Sequence, residues 1–134
     1  MEKEIKGFNI GDEFKITDGM EKGSKIMLSE DAYVTVIYAG SKKFLKATVK
    51  NRDENPDMTG SELMIKTIAE VGIVDIKNVS MPDGTVVKNT VKSKMEMLAW
   101  KTDKHLEPPF SKMIVGFMRD LVNFPGSGKS LTSF

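Results

Sequence analysis

The sequence predicts an α+β fold: a small N-terminal antiparallel β-sheet of two to three strands, followed by a packed set of about four helices. Three observations predict it. Tyr33, Val34, Thr35, Val36, Ile37 and Tyr38 form an almost unbroken β-branched and aromatic run, which suits a pleated, half-buried strand. Thr59-Gly-Ser-Glu62 and Ser93-Lys-Met-Glu96 both have capping-box spacing, in which a hydroxyl and a carboxylate each satisfy an unpaired backbone N–H. Finally, Met113, Ile114, Phe117, Met118, Leu121 and Phe124 follow Phe110 at offsets of 3, 4, 7, 8, 11 and 14, an amphipathic helical period.

The elements follow in chain order. Residues 1–31 are polar and punctuated by Gly7, Gly11, Gly19 and Gly23; Asp12–Thr17 and Lys25–Ser29 are the strand candidates, with a turn near Asp18-Gly19. Residues 1–22 read as a flexible or strand-forming arm. The clearest strand spans Ala32–Ala39 and stops at Gly40. Ser41 then caps a helix running to about Asp53, with Phe44, Leu45, Thr48 and Val49 on one face. After Asn55-Pro56-Asp57, the Thr59 box opens a helix that carries Leu63, Met64, Ile65, Ile68 and Val71 toward about Lys77. Gly72 weakens that helix by about 1 kcal/mol relative to alanine and marks a place where it can break. Pro82-Asp83-Gly84 is a tight turn, the Ser93 box opens a short helix through Trp100, and Pro108-Pro109 begins the last helix. Pro125-Gly126 ends it. The layout is therefore one α+β domain over 1–124 and a flexible tail over 125–134.

Composition limits the chemistry. Among 134 residues, 20 Lys+Arg against 19 Asp+Glu leave a net charge of +1, which gives no case for nucleic-acid or anionic-membrane binding. The chain has no cysteine, which removes disulfides, thiolate nucleophiles and the usual structural zinc site. A single histidine, His105, leaves little room for a metal cluster or a Ser-His-Asp triad. The start, Met-Glu-Lys-Glu, lacks an apolar signal region, so the expected location is the cytoplasm. No enzyme activity and no cofactor are expected.

The motifs that resemble chemical sites fare poorly. Gly126-Ser127-Gly128-Lys129-Ser130 imitates a phosphate loop, but Asn123 stands where its first glycine belongs and a helix, not a strand, precedes it. The acidic pairs Asp12-Glu13, Glu30-Asp31 and Asp53-Glu54 are neighbours in sequence and do not converge as an acid–base pair must. Lys42, Lys43, Lys46 and Lys50, with Arg52 just beyond, form a basic helix stripe that reads first as a solvated face and second as an anionic contact. Ten methionines suit either core filling or a plastic binding surface. The candidate partner-binding residues are Met113, Phe117, Met118 and Leu121 on the last helix, with Trp100, the sole tryptophan, as an interface anchor.

From Gly23 to Lys129 the order of elements resembles the small tail assembly chaperones of long-tailed bacteriophages. Gly23–Leu28 and Asp31-Ala32-Tyr33-Val34-Thr35-Val36 match the family's opening strands, and Ser41-Lys-Lys-Phe-Leu-Lys-Ala47 its lysine-rich helix. Val74-Asp75-Ile76-Lys77-Asn78-Val79 stands for its hydrophobic–Asp–Trp–x–x–hydrophobic segment, with Ile76 where Trp is commonest. Pro82-Asp83-Gly84-Thr-Val-Val87, Ser93-Lys-Met-Glu96 and Asp120-Leu121-Val122-Asn123-Phe124 complete the pattern, followed by Lys129-Ser130. The resemblance implies a non-enzymatic protein of the bacterial host cytoplasm that is left out of the mature virion. It further implies that the chain binds and solubilises the tape-measure protein, aids polymerisation of the tail-tube protein, and can form a homo-oligomer. Two other readings compete: a structural virion component of the head–tail or tail region, and a small nucleic-acid-binding or host-modulating protein working through the Lys42–Arg52 stripe.

Overall fold

The computed structural model describes residues 22–124. The strand Asp12–Thr17, the turn at Asp18-Gly19, the pair Asp12-Glu13 and the whole 125–134 segment lie outside them. Within them the chain is α+β, with a three-stranded antiparallel sheet in the order β1-β2-β3 and four α-helices. The strands are β1 (Ser24–Met27), β2 (Tyr33–Val36) and β3 (Ile73–Lys77). The helices are α1 (Lys42–Glu54), α2 (Gly60–Thr67), α3 (Val91–Ala99) and α4 (Pro109–Arg119). No helix among the described residues is long and apolar enough to cross a membrane.

Alternation sets the sheet. Val34 and Val36 point into the core, as does Ile26, which lies opposite Val34 across the antiparallel pair. On the outer face Lys25 holds its ammonium 4.3 Å from the centre of the Tyr33 ring, a diagonal cross-strand contact. Gly23 leads into β1 with φ 106, and a Cβ there would stand 2.8 Å from Thr35 Cγ2 and 3.0 Å from the Val36 carbonyl oxygen. Only glycine fits. β2 is shorter than the Ala32–Ala39 expected, because beyond Val36 its backbone leaves the ladder. Ile37 N–H donates to the Gly72 carbonyl at 2.9 Å, and Ala39 N–H to the Met118 carbonyl at 2.7 Å.

The main correction concerns the helix expected to reach Lys77. It forms as anticipated at its start, where Thr59 and Glu62 make both bonds of the capping box. It ends at Thr67, widens into a π-turn over Ile68–Gly72, and gives way to β3. Two forces override the helical pattern. The Ile73-Val74-x-Ile76 run is β-branched, and β2 offers it a ready edge, pairing Val34 with Ile76 and, past a bulge, Val36 with Ile73. Gly72 also sits so close to the core that a Cβ would lie 3.0 Å from Met118 Cε and 3.3 Å from Phe44 Cε1. The third strand thus comes from between the helices.

Two other boundaries move. The cap of α3 is Thr90, whose hydroxyl accepts from Ser93 N–H at 3.2 Å, and not Ser93. The Ser93 hydroxyl instead accepts from Lys88 N–H at 2.8 Å, so it ties the incoming loop to the helix. The last helix stops at Arg119 rather than Phe124: Asp120 caps a single 3-10 turn over Leu121–Asn123. That turn drives Phe124 back into the core, where its ring meets Tyr38 at 5.5 Å and Phe117 at 5.9 Å.

Ile26, Val34, Val36, Ile37, Phe44, Ile68, Ile73, Leu98, Ile114, Met118 and Phe124 share one buried cluster. A polar seam crosses it between α1 and α2. Buried Asn51 donates to Thr67 Oγ1 at 3.0 Å and to Glu70 Oε1 at 2.8 Å, and Lys66 Nζ donates to Glu70 Oε2 at 2.7 Å. Burial alone would raise the Glu70 carboxyl. The hydrogen bonds from Lys66 and Asn51, with the charges of Lys66 and Lys50, outweigh it and hold Glu70 below its ordinary value.

Candidate functional site

A surface groove forms where three elements fail to close over one another. Its first wall is a small hairpin: Val87 N–H donates to the Val79 carbonyl and Met81 N–H to the Thr85 carbonyl, both at 2.8 Å. The hairpin turns at Pro82-Asp83-Gly84, as the sequence predicts. Gly84 takes φ 92, and the Asp83 carboxylate accepts from Thr85 N–H at 2.9 Å. The backbone and side-chain hydrogen bonds of Thr85 hold the Asp83 carboxyl below its usual value. The second wall is the C-terminal end of α3, and the third is the first turn of α4.

Side chains from all three walls make the groove apolar. Val79, Met81, Met97, Trp100, Phe110 and Met113 line a depression of about 440 Å³. Met97 belongs to the core, whereas Met113 is 40% exposed at the rim. Trp100 stands where α3 ends in an extended residue. Trp100, with Met81, Pro82 and Val86, also lines a second hollow of about 290 Å³, whose lining includes Asp83 and Glu96. His105 packs on Trp100 at 5.6 Å between ring centres, and its Nδ1 accepts from Thr102 N–H at 3.0 Å. A short loop thereby fixes the indole. Flexible thioethers beside a braced indole make a surface that adapts to apolar side chains of different shape.

The sequence candidates are distributed unevenly over this geometry. Met113 and Trp100 meet at the groove. Phe117 and Leu121 are half-buried and pack against the core cluster. Met118 is 1% exposed and belongs to the interior, so it offers nothing to a partner. The stripe read as one face is thus split, with Met113 on the surface and Ile114 and Met118 beneath. Val79, Met81, Met97 and Phe110 were missed as site residues. The high methionine content pointed toward Met81 and Met97, and the amphipathic period that starts at Phe110 pointed toward that residue; nothing in the sequence singled out Val79.

The basic stripe is placed as expected on α1, with Lys42, Lys43, Lys46, Lys50 and Arg52 all exposed. Arg52 lies 3.8 Å from the Asp53 carboxylate. Leu45 and Val49 share the face of Lys42 and Lys46 and are 52% and 46% exposed. With Gly40 they line a shallow apolar depression of about 540 Å³ whose lining also holds Lys42 and Lys46. Among the described residues, no three His, Cys, Asp or Glu side chains gather into a possible metal site. No protein-family model, curated protein or solved structure matches the chain.

Proposed function

We propose that the chain is a non-enzymatic assembly chaperone for a bacteriophage tail, binding the helical tape-measure protein and keeping it soluble while the tail tube polymerises around it. The observation that carries this reading is the open groove lined by Met81, Met97, Met113, Trp100 and Phe110. A holdase must accept many apolar side chains along a rod without demanding one shape. Methionines meet that need because an unbranched thioether repacks at little cost. The role uses no cofactor and no reacting group, and it is carried out in the host cytoplasm.

Co-expression with the tape-measure protein of the same phage tests it. The expected result is a soluble tape-measure protein that copurifies with the chain. Trp100→Ala removes the braced wall and Met113→Asp places a charge on the rim; each weakens the complex about thirtyfold, the loss of one interface hot spot. An insoluble tape-measure protein with no copurification contradicts the reading. So does a complex indifferent to both substitutions. Recovery of the chain from purified particles would favour a structural virion component instead.

A further inference from the structure

The two hollows beside Trp100 adjoin, since Met81, Pro82 and the indole line both. They differ in charge. No ionisable side chain lines the larger one, where Met97, Phe110 and Met113 complete an apolar wall. The smaller one is also apolar along Pro82 and Val86, but it carries two carboxylates, Asp83 from the hairpin turn and Glu96 from α3. No lysine or arginine lines it. Both carboxylates are exposed, and the ion pairs among the described residues, Arg52–Asp53, Lys66–Glu70 and Lys112–Glu107, include neither. Thr85 N–H, donating to the Asp83 carboxylate at 2.9 Å, favours its ionised form. Anions set on an apolar wall beside an indole suit a cation with a hydrocarbon stem. The stem of a lysine or arginine covers the apolar wall, while its charged head meets the carboxylates and the electron-rich ring.

We propose that the smaller hollow is a specificity site for lysine or arginine, so that the groove selects peptide segments pairing an apolar anchor with a neighbouring basic side chain. The anchor enters the larger hollow and the basic residue the smaller. This inference rests on the groove being the docking site of the proposed function, and adds which stretches of a long partner it takes. An apolar hollow alone accepts any exposed hydrophobic stretch. The carboxylates fix the register and reject a segment whose anchor stands beside an acidic residue. With a net charge of +1, the chain as a whole does not attract cations, so the preference arises at Asp83 and Glu96.

Selection from a displayed library of short random peptides lacking tryptophan, against the immobilised full chain, tests it. The expected result is an enriched set that shares a large apolar residue and a lysine or arginine at a fixed offset from it. One enriched peptide is then synthesised and titrated into the chain, with binding read from Trp100 emission. Replacing its basic residue by glutamate weakens binding about tenfold, and rising salt narrows that difference. Asp83→Asn combined with Glu96→Gln abolishes the discrimination, and Glu96→Lys turns it toward the glutamate peptide. Both positions are exposed, and circular dichroism verifies that the variants fold. Enriched peptides with no basic residue at a fixed offset overturn the proposal, as does a selection that enriches nothing. A basic preference that survives the Asp83→Asn, Glu96→Gln pair also overturns it. The selection contains no tape-measure protein and the co-expression experiment scores only copurification, so the two failures are told apart.

Discussion

Leu98→Ala lowers the free energy of unfolding by about 3 kcal/mol, the middle of the range for emptying a buried leucine site. Leu98 is fully buried near the end of α3, and that helix packs on α2, the π-turn and α4. Removing its isobutyl group takes away transfer energy and leaves a hole that several rigid elements surround. They cannot all collapse into it. For a domain whose total stability is typically about 5–15 kcal/mol, this is a large fraction. Urea denaturation followed by circular dichroism measures it. A loss below about 1 kcal/mol would mean that α3 does not close the core at this point.

Lys94→Ala costs about 2 kcal/mol at neutral pH, because it removes both a buried stem and a hydrogen bond. Lys94 is 6% exposed, and its ammonium donates to the Ile73 carbonyl at 3.0 Å, fastening α3 to the start of β3. Burial holds its pKa below the ordinary 10.5. The sign follows from proton counting. Below the lowered native pKa both states carry the proton, and the cost of burying the charge is present in full. As pH rises from there toward 10.5 the folded chain loses its proton first, so Lys94 makes stability rise with pH in that window. Lys94→Met keeps the stem and removes the titration. Tyr33, raised by desolvation and by Asp75, adds its own alkaline titration. The diagnostic quantity is therefore the difference between wild type and Lys94→Met. The account expects the stability of the wild type relative to Lys94→Met to rise with pH across that window; a difference that stays constant would contradict it.

Local signals were legible in the sequence wherever a few neighbouring residues decide the outcome. Ser41 caps α1 through Phe44 N–H, the Thr59–Glu62 box forms as written, and Pro109 opens α4 at its first position. Tyr33–Val36 is a strand because its own side chains prefer one. The misses are tertiary. Nothing within residues 68–77 says that β2 offers a free edge to Ile73 or that Gly72 must fit beneath Phe44 and Met118. Those facts belong to the assembled core, and they turned an expected helix into a strand. The Ser93 box failed for a related reason: Thr90 captured the helix start three residues earlier, and Ser93 was taken by the loop from Lys88. The groove followed the same rule. Trp100 and Met113 were visible as isolated candidates, yet the hairpin wall at Val79 and Met81 joins them only through the tertiary arrangement of the folded chain.

The central claim is that the groove beside Trp100 is where a partner docks, and the single tryptophan reports on it directly. Emission from Trp100 is to be followed while soluble tape-measure fragments are added, with the chain kept dilute enough to prevent self-association. Covering the indole should shift its emission to shorter wavelength and protect it from acrylamide, saturating with the same affinity as complex formation seen by sedimentation. A complex that forms while the emission and quenching of Trp100 stay unchanged would place the partner elsewhere on the molecule and contradict the account.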